Sequence, residues 1–178
     1  LALFANNAGT ISHLTVSGQV TGLGNGACGM VVATNTGTLN QCEAQGTVSG
    51  DIAGGLVGIQ QSGAVLNSIN RAVVNGTSMA GGLTGYLLSG SVNSNYSVSS
   101  VASSAGQVGM LVGKCSDATQ VSNCYYLAGS NYGLGGTSVD AAGFVSITAD
   151  SFATGKIARL LNGGNGTSEK AAGVWGQK

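Results

Sequence analysis

Few residues in this sequence have side chains that could do chemistry, and they do not cluster. The chain of 178 residues has six acidic residues, six basic residues, one histidine and four cysteines. Hydrolysis of a glycosidic bond needs paired carboxylates, and elimination needs acidic calcium ligands with a basic residue. We expect only Asp51 and Arg71 to form a local pair, and a solvent-exposed ion pair contributes little stability. The acidic residues fall at unrelated positions, which are Glu43, Asp51, Asp117, Asp140, Asp150 and Glu169.

The remaining reactive side chains give no catalytic pattern either. His13 has no Ser–Asp or Cys partner at a corresponding repeat position, so we expect a surface or packed histidine rather than a general base. The spacing of the cysteines does not resemble a zinc site. The sequence therefore predicts no catalytic residue, no cofactor-binding residue and no metal ligand.

Composition limits the classes of protein that remain. Only 7% of the residues are charged, the net charge is zero, and 43% are hydrophobic. Disordered chains usually combine low hydrophobicity with high net charge, so we expect a folded domain. Scattered charges form no cationic face for nucleic acid. No apolar run reaches the ~18 residues of a spanning helix, so we predict no membrane insertion.

The elements that would position any site come from an internal repeat. Its clearest copy is Gly54–Gly58, which returns as Gly81–Gly85, as Gly109–Gly113 and, more weakly, as Gly29–Ala33. The first glycines lie at positions 29, 54, 81 and 109. A period in this range is typical of a solenoid, in which each repeat stacks on its neighbours.

Two further columns have the same period. The aliphatic residue that follows each Gly-small pair forms an anchor column of Ile11, Leu39, Val65, Val92 and Val121. A second block begins seven residues later, and its central valines form a valine column of Val20, Val48, Val74 and Val101. Each coil thus offers three short β-branched or aliphatic segments separated by Gly, Asn and Ser turns.

This pattern predicts an all-β fold, a right-handed parallel β-helix of about five coils. Glycine costs ~1 kcal/mol at each interior helix position, and no apolar period of 3.6 is sustained. Strands one coil apart must run parallel, so equivalent residues stack at about 4.8 Å. Right-handedness follows the general preference of parallel crossovers. We expect Val48, Val74, Leu56 and Leu83 to point inward.

Beyond Val121 the repeat weakens. We predict a departing loop from Tyr125 to Gly136, and then one helix that starts near Thr148 and ends at Asn162. This helix is expected to cap the last rung, with Trp175 packed against it. The sequence thus divides into coils at 1–128 and a C-terminal loop and cap with one helix at 129–178, within one structural domain.

The start of the sequence continues the repeat. Leu3–Ile11 aligns without a gap on Val31–Leu39, so the chain is expected to open in the last strand of a preceding coil. No charged-then-apolar leader is present, and we expect a fragment of a longer array.

The cysteines are expected to be free and buried. Cys42 and Cys124 share a column but lie three coils apart, about 14 Å, which is too far for a disulfide. Pairing of Cys28 with Cys42, or of Cys115 with Cys124, stays open.

The Gly-Gly-Leu-Val-Gly block, the Gly-x-Val-x-Gly block and Val121-Ser122-Asn123-Cys124-Tyr125 together resemble the GLUG repeat. The segment Ser151–Gly163 with Trp175-Gly176-Gln177 is similar to the element that closes such arrays in gut anaerobes. The match is weaker at Ala33, which replaces a glycine, and at Ile69 and Asn70, where the family tends to have Tyr and Ser.

This resemblance implies a secreted or cell-surface bacterial protein, because GLUG repeats occur in adhesin-like proteins and in the non-catalytic part of some immunoglobulin A-cleaving metallopeptidases. It implies no catalytic residue. We therefore predict a binding surface or structural stalk within a larger parent chain, with a glycan or a host-matrix or surface protein as partner and no nucleic acid.

Three alternatives remain at the level of sequence: a polysaccharide lyase or glycosidase, an accessory domain of a surface peptidase, and an ice-binding face. The last needs regular threonines, and the residues before the anchors are Thr10, Thr38, Ala64, Ser91 and Gln120. An exposed aromatic ring can stack on a sugar, so the predicted ligand contacts are Tyr125, Tyr126 and Tyr132.

Overall fold

The computed structural model describes residues 1–129, 131–137, 143–163 and 175. Short strands make up most of this part of the chain, and two short helices follow them. In chain order the strands are β1 (Phe4–Asn7), β2 (Thr10–Ser12), β3 (Thr15–Thr21), β4 (Ala27–Gly29), β5 (Val32–Asn35), β6 (Thr38–Asn40), β7 (Glu43–Gly54), β8 (Val57–Gln60), β9 (Ala64–Leu66), β10 (Ile69–Gly81), β11 (Thr84–Leu87), β12 (Ser91–Asn93), β13 (Tyr96–Ser97), β14 (Val101–Ser103), β15 (Gln107–Gly109), β16 (Val112–Cys115), β17 (Val121–Ser122), β18 (Cys124–Leu127) and β19 (Phe144–Ile147).

The strands form three parallel sheets, which are the three sides of a β-solenoid of about five coils. Sheet A has the order β1-β5-β8-β11-β16, and sheet B has the order β17-β12-β9-β6-β2. Sheet C has the order β19-β18-β13-β10-β7-β3, with β14 and β15 paired to β10 and β4 paired to β7. Every strand pairs in parallel with an equivalent strand of a neighbouring coil, as the parallel β-helix prediction requires.

The registers confirm the columns predicted from the sequence. In sheet B the anchor residues pair as Ile11↔Leu39, Leu39↔Val65, Val65↔Val92 and Val92↔Val121. In sheet C the valines pair as Val20↔Val48, Val48↔Val74 and Val74↔Val101. The side chains of Val48, Val74, Leu56 and Leu83 are all fully buried, so they point inward as expected.

Glycine is required at a tight corner within one coil and where two coils approach each other closely. A Cβ atom on Gly54 would lie 1.8 Å from the carbonyl oxygen of Val57, and one on Gly46 would lie 2.0 Å from that of Gly18. Gly46 also has a φ of 107°. Neither position has room for a side chain.

The corner between sheets B and C uses left-handed residues that are not glycine. They lie two positions after each anchor residue, with φ between 48° and 58°: His13, Gln41, Asn67, Ser94 and Asn123. Hydrogen bonds join some of these corners to the next coil, as where Asn123 Nδ2 donates to Ser94 Oγ at 3.0 Å. His13 is thus the first member of a structural column.

Some inward columns are polar but hydrogen-bonded. Asn35 Nδ2 donates to Gln60 Oε1 at 2.9 Å, and both side chains are fully buried. In a second column, the backbone N–H of Ser68 donates to Asn95 Oδ1 at 2.7 Å, and Asn95 Nδ2 lies 3.8 Å from Cys124 Sγ. These bonds satisfy buried amides that would otherwise cost free energy.

The prediction of a departing loop from Tyr125 to Gly136 is wrong for its first three residues, because β18 extends to Leu127. Tyr125 pairs with Tyr96 on one side and with Val145 on the other, so it lies within sheet C. Leu134 bridges Val112 at the end of sheet A. The chain makes one further rung, which the sequence hides because the offset in sheet C falls from 29 residues, Tyr96↔Tyr125, to 20 residues, Tyr125↔Val145.

The cap contains two helices rather than one, α1 (Ala149–Ala153) and α2 (Lys156–Leu161). Gly155 separates them, because its φ of 71° is left-handed and interrupts the helix. The helices pack on the outward side of the last rungs, in a cluster with Tyr96, Tyr125, Ile147 and Trp175. Trp175 therefore packs at the cap as expected. No helix in the described residues is long and apolar enough to cross a bilayer.

Candidate functional site

An extended surface depression arises from unequal corner lengths within sheet C. The registers leave five residues (22–26) at this corner in the first coil but only two (Gly50 and Asp51) in the second. The third coil has three (76–78) and the fourth has four (103–106). The second coil is therefore recessed between longer neighbours, which produces a groove with Asp51 at its floor.

We call this depression the polar groove. It has a volume of about 550 Å³ and crosses four coils, or about 14 Å along the solenoid. This volume lies within the range of ligand clefts, about 300–1,000 Å³. The described residues that line it include no aromatic or basic side chain: Gly22, Gly24, Asn25, Ser49, Gly50, Asp51, Asn75, Gly76, Thr77 and Ser104.

The groove offers one negative charge and many neutral hydrogen-bonding groups. Asp51 Oδ1 accepts a hydrogen bond from the hydroxyl of Ser78. The hydroxyl group of Ser103, beside the groove, already donates a hydrogen bond to the carbonyl oxygen of Thr77 at 2.9 Å. In contrast, no described residue bonds to the side chains of Asn25, Asn75 or Thr77. These groups remain available to a ligand rich in hydroxyl groups.

The structure contradicts the predicted pair of Asp51 with Arg71. Arg71 lies beside Gln45 in the register, and its Nε donates to Glu43 Oε1 at 2.8 Å. Gln45 Nε2 donates to the same oxygen at 3.0 Å. Arg71 and Asp51 are separated because they lie towards opposite ends of the long strands of sheet C. The prediction missed Glu43, which is two positions from Arg71 in the register.

Two of the three tyrosines predicted as ligand contacts are buried. Tyr126 is 2% exposed in the main core, and Tyr125 is 9% exposed against the cap. Strand alternation continues through β18, which sends neighbouring rings to opposite faces, and both faces are covered. Only Tyr132, at 45% exposure, presents its ring to solvent. The expectation of exposed rings is therefore wrong for Tyr125 and Tyr126.

Tyr96 is the aromatic residue that sequence reasoning missed. Its ring centroid lies 5.4 Å from that of Phe152 and 5.2 Å from that of Trp175. Arg71 Nη2 donates to its hydroxyl oxygen at 3.4 Å. Burial raises the pKa of Tyr96, an effect that Arg71 partly offsets and Glu43 reinforces. The signal was present, because Tyr96 follows its anchor by four residues, as Tyr125 does.

A second depression, which we call the aromatic cleft, lies beside Tyr96 between sheet C and α1. Its volume is about 400 Å³. The lining consists of Arg71, Tyr96, Val98, Leu127, Ala149, Phe152 and Ala153. It is therefore mostly apolar, in contrast to the polar groove.

All four cysteines are free, and neither of the two disulfides left open by the sequence is formed. Cys28, Cys42 and Cys124 are buried. Burial raises the pKa of Cys124 to about 11, so its thiol is protonated at neutral pH. Within the described residues, no group of three or more His, Cys, Asp or Glu side chains could hold a metal ion.

Fold and site together define a parallel β-solenoid repeat protein with a polar surface groove. Neither a family model, a curated protein nor a solved structure matches this chain. The resemblance to the GLUG repeat therefore stays a prediction from the sequence.

Proposed function

We propose that this chain is a non-catalytic binding module of a secreted or cell-surface bacterial protein, and that the polar groove holds a neutral polymer rich in hydroxyl groups, such as a glycan. The groove carries this proposal, because it combines one carboxylate with unused amide and hydroxyl groups along about 14 Å of the solenoid. A sugar hydroxyl can donate to the carboxylate and accept from the amides.

The shape of the groove favours a polymer over a compact ligand. It runs across four coils and is open along its length, so several sugar units could each make a few hydrogen bonds. Each neutral hydrogen bond contributes only about 0.5–1.5 kcal/mol, so affinity would come from many weak contacts. Repeat proteins commonly bind through such extended surfaces.

A glycan array followed by calorimetry with the best ligand tests the proposal. Asn75 is exposed in the groove, so Asn75→Trp should block it and weaken binding at least tenfold. Val73 is the matched control, because it is exposed on the same strand but outside the groove. Val73→Trp should leave affinity unchanged. Equal affinity of both variants and the parent would reject the groove as the site.

The same incubations distinguish a binding module from a polysaccharide lyase or glycosidase. We expect neither new reducing ends nor unsaturated products. Turnover that is lost in Asp51→Asn would replace our proposal with an enzymatic one. Binding to host-matrix proteins on a parallel array, without glycan binding, would instead favour the protein-adhesion alternative. A module with no ligand on either array would act as a stalk.

A further inference from the structure

The aromatic cleft has a polar pair in an otherwise apolar lining. Arg71 and Tyr96 supply its polar side chains, while Val98, Leu127 and Phe152 supply much of the apolar surface. This site is separate from the polar groove, with which it shares no lining residue. Its chemistry therefore does not depend on the function proposed above.

The polar pair has unused donors. Arg71 uses Nε for Glu43, and its contact from Nη2 to Tyr96 is long at 3.4 Å. The guanidinium has five N–H groups in total, so several remain free. Tyr96 accepts this contact, and no described residue accepts the proton of its hydroxyl group. Because burial raises the pKa of Tyr96, that proton is present at neutral pH.

The positive charge of Arg71 favours a ligand with a negatively charged group. Among the described residues that line the cleft, Arg71 is the only charged one, and its side chain is 49% exposed. Glu43 neutralises Arg71 from one side but does not line the cleft. A guanidinium with free N–H groups forms strong, directional hydrogen bonds with a carboxylate. The neighbouring apolar wall favours a ligand whose carboxylate carries an apolar group.

From this geometry we propose that the aromatic cleft binds a carboxylate attached to an apolar group, with Arg71 and Tyr96 as donors and the side of α1 containing Phe152 as the apolar wall. The volume of about 400 Å³ accommodates one aromatic acid. The same chemistry occurs in free arylalkanoic acids and in the last residue of a peptide with an apolar side chain.

The intrinsic fluorescence of the full chain provides the measurement, since Trp175 is the single tryptophan and its ring contacts Tyr96. Titration with 3-phenylpropionate should give a saturable change. The uncharged analogue 3-phenylpropanol should bind at least tenfold more weakly. Equal binding of acid and alcohol would overturn the proposal, because it would show that the cleft recognises only the apolar group.

Two substitutions separate the role of Arg71 from general packing. Arg71→Gln should weaken the binding of 3-phenylpropionate at least tenfold without affecting the binding of 3-phenylpropanol. Glu43→Gln should strengthen the binding of 3-phenylpropionate several-fold, because it removes the carboxylate that competes for Arg71. Lys114→Gln is the control, since Lys114 lies over the ring of Tyr86 in sheet A. If Arg71→Gln fails to fold, Glu43→Gln still decides, and an affinity equal to that of the parent would contradict the proposal.

A second pair of probes distinguishes a free small acid from the C-terminal residue of a peptide as the ligand. Acetyl-Gly-Phe with a free carboxylate is compared with its C-terminal amide. Binding of the free acid alone supports the cleft as a receptor for peptide termini. Binding of 3-phenylpropionate but of neither peptide supports a free small acid as the ligand.

Discussion

Thr84 is a polar residue in an aliphatic environment. In sheet A it pairs with Val57 and Val112, and all three side chains are fully buried. Its hydroxyl oxygen has no hydrogen-bond partner in the described part of the chain. A buried hydroxyl without a partner costs roughly 1–3 kcal/mol, and valine has nearly the same shape. Thr84 is therefore expected to contribute less to the stability of the fold than the valines with which it pairs.

We expect Thr84→Val to raise the free energy of unfolding by about 1 kcal/mol, which corresponds to about 2–4 °C in melting temperature. The reverse change at the paired position, Val57→Thr, should lower stability by a similar amount. Thermal unfolding followed by circular dichroism measures both. A destabilised Thr84→Val variant would show that the hydroxyl is satisfied after all.

Cys124 makes stability depend on pH in the alkaline range. Burial raises the pKa of the folded thiol to about 11, against 9.0 for an unperturbed thiol. Between these values the unfolded chain releases the proton and the folded chain retains it, so the unfolded state binds fewer protons. The contribution of the Cys124 thiol to the free energy of unfolding is fully present below pH 9 and is lost as the pH rises towards 11. The loss from this group reaches about 2–3 kcal/mol.

Denaturant unfolding at pH 8, 9, 10 and 11 tests this dependence. Cys124→Ser should reduce the slope, because its hydroxyl does not titrate there and can keep the contact with the carbonyl of Ser122, 3.2 Å from Sγ. Some slope should persist, since burial also raises the pKa values of Cys42 and Tyr125. If the pH dependence of the free energy of unfolding is unchanged in Cys124→Ser, groups other than Cys124 are responsible for it.

The sequence predicted the interior residues better than the surface ones. Stacking places the same position of every coil in one column, so Val48 and Val74 could be assigned without coordinates. The left-handed corner at Gln41 and Asn67 was not predicted, because residues other than glycine rarely adopt a positive φ. The column exists, but its members share a conformation rather than a side-chain type.

At the scale of the element, the two faces of β10 give a sharp test of the register. Val74 is fully buried, whereas its neighbour Val73 is 39% exposed. Val74→Asp should lower stability by several kcal/mol, since it places an unpaired charge in the apolar interior. Val73→Asp should change stability by about 0.5 kcal/mol or less. Thermal melts of the two variants within a degree or two of each other would refute the register.

The last strands and helices could be predicted only in part. Helix formation after Thr148 followed from apolar spacing, but the break at Gly155 depends on a left-handed φ that the sequence does not fix. The rung containing Leu134 and Val145 was hidden, because a change in coil length removes the period that reveals a repeat. The polar groove was missed for the same reason, since it depends on differences between corner lengths.

At the scale of the molecule, the cap protects an apolar outer surface. Ile157 and Leu161 of α2 pack with Tyr125 and Ile147 of sheet C. We expect deletion of residues 151–178 to produce an aggregating or oligomeric chain, because it exposes this surface beside the terminal strand β19. Light scattering coupled to size-exclusion chromatography gives the measurement. A monodisperse truncated chain with the stability of the parent would show that the segment is dispensable.

A milder change tests the same interface without removing the chain terminus. Ile157→Asp should lower stability and promote association, because Ile157 is 2% exposed. Lys156 precedes it on the same helix but is exposed, so Lys156→Asp serves as the matched control. Equal behaviour of the two variants would argue against the packing of α2 on sheet C.

The unequal corners of sheet C have an evolutionary consequence. The groove exists because the second coil has two residues where its neighbours have five and three. One inserted residue after Gly50 would give this coil the corner length of the third and fill the floor, while Val48 and Ala53 kept their places in the core. Lengthening a surface loop by one residue costs little free energy. Insertions and deletions at this corner could therefore diversify ligand preference among descendants of this chain, while substitutions in the interior remained under separate selection for stability.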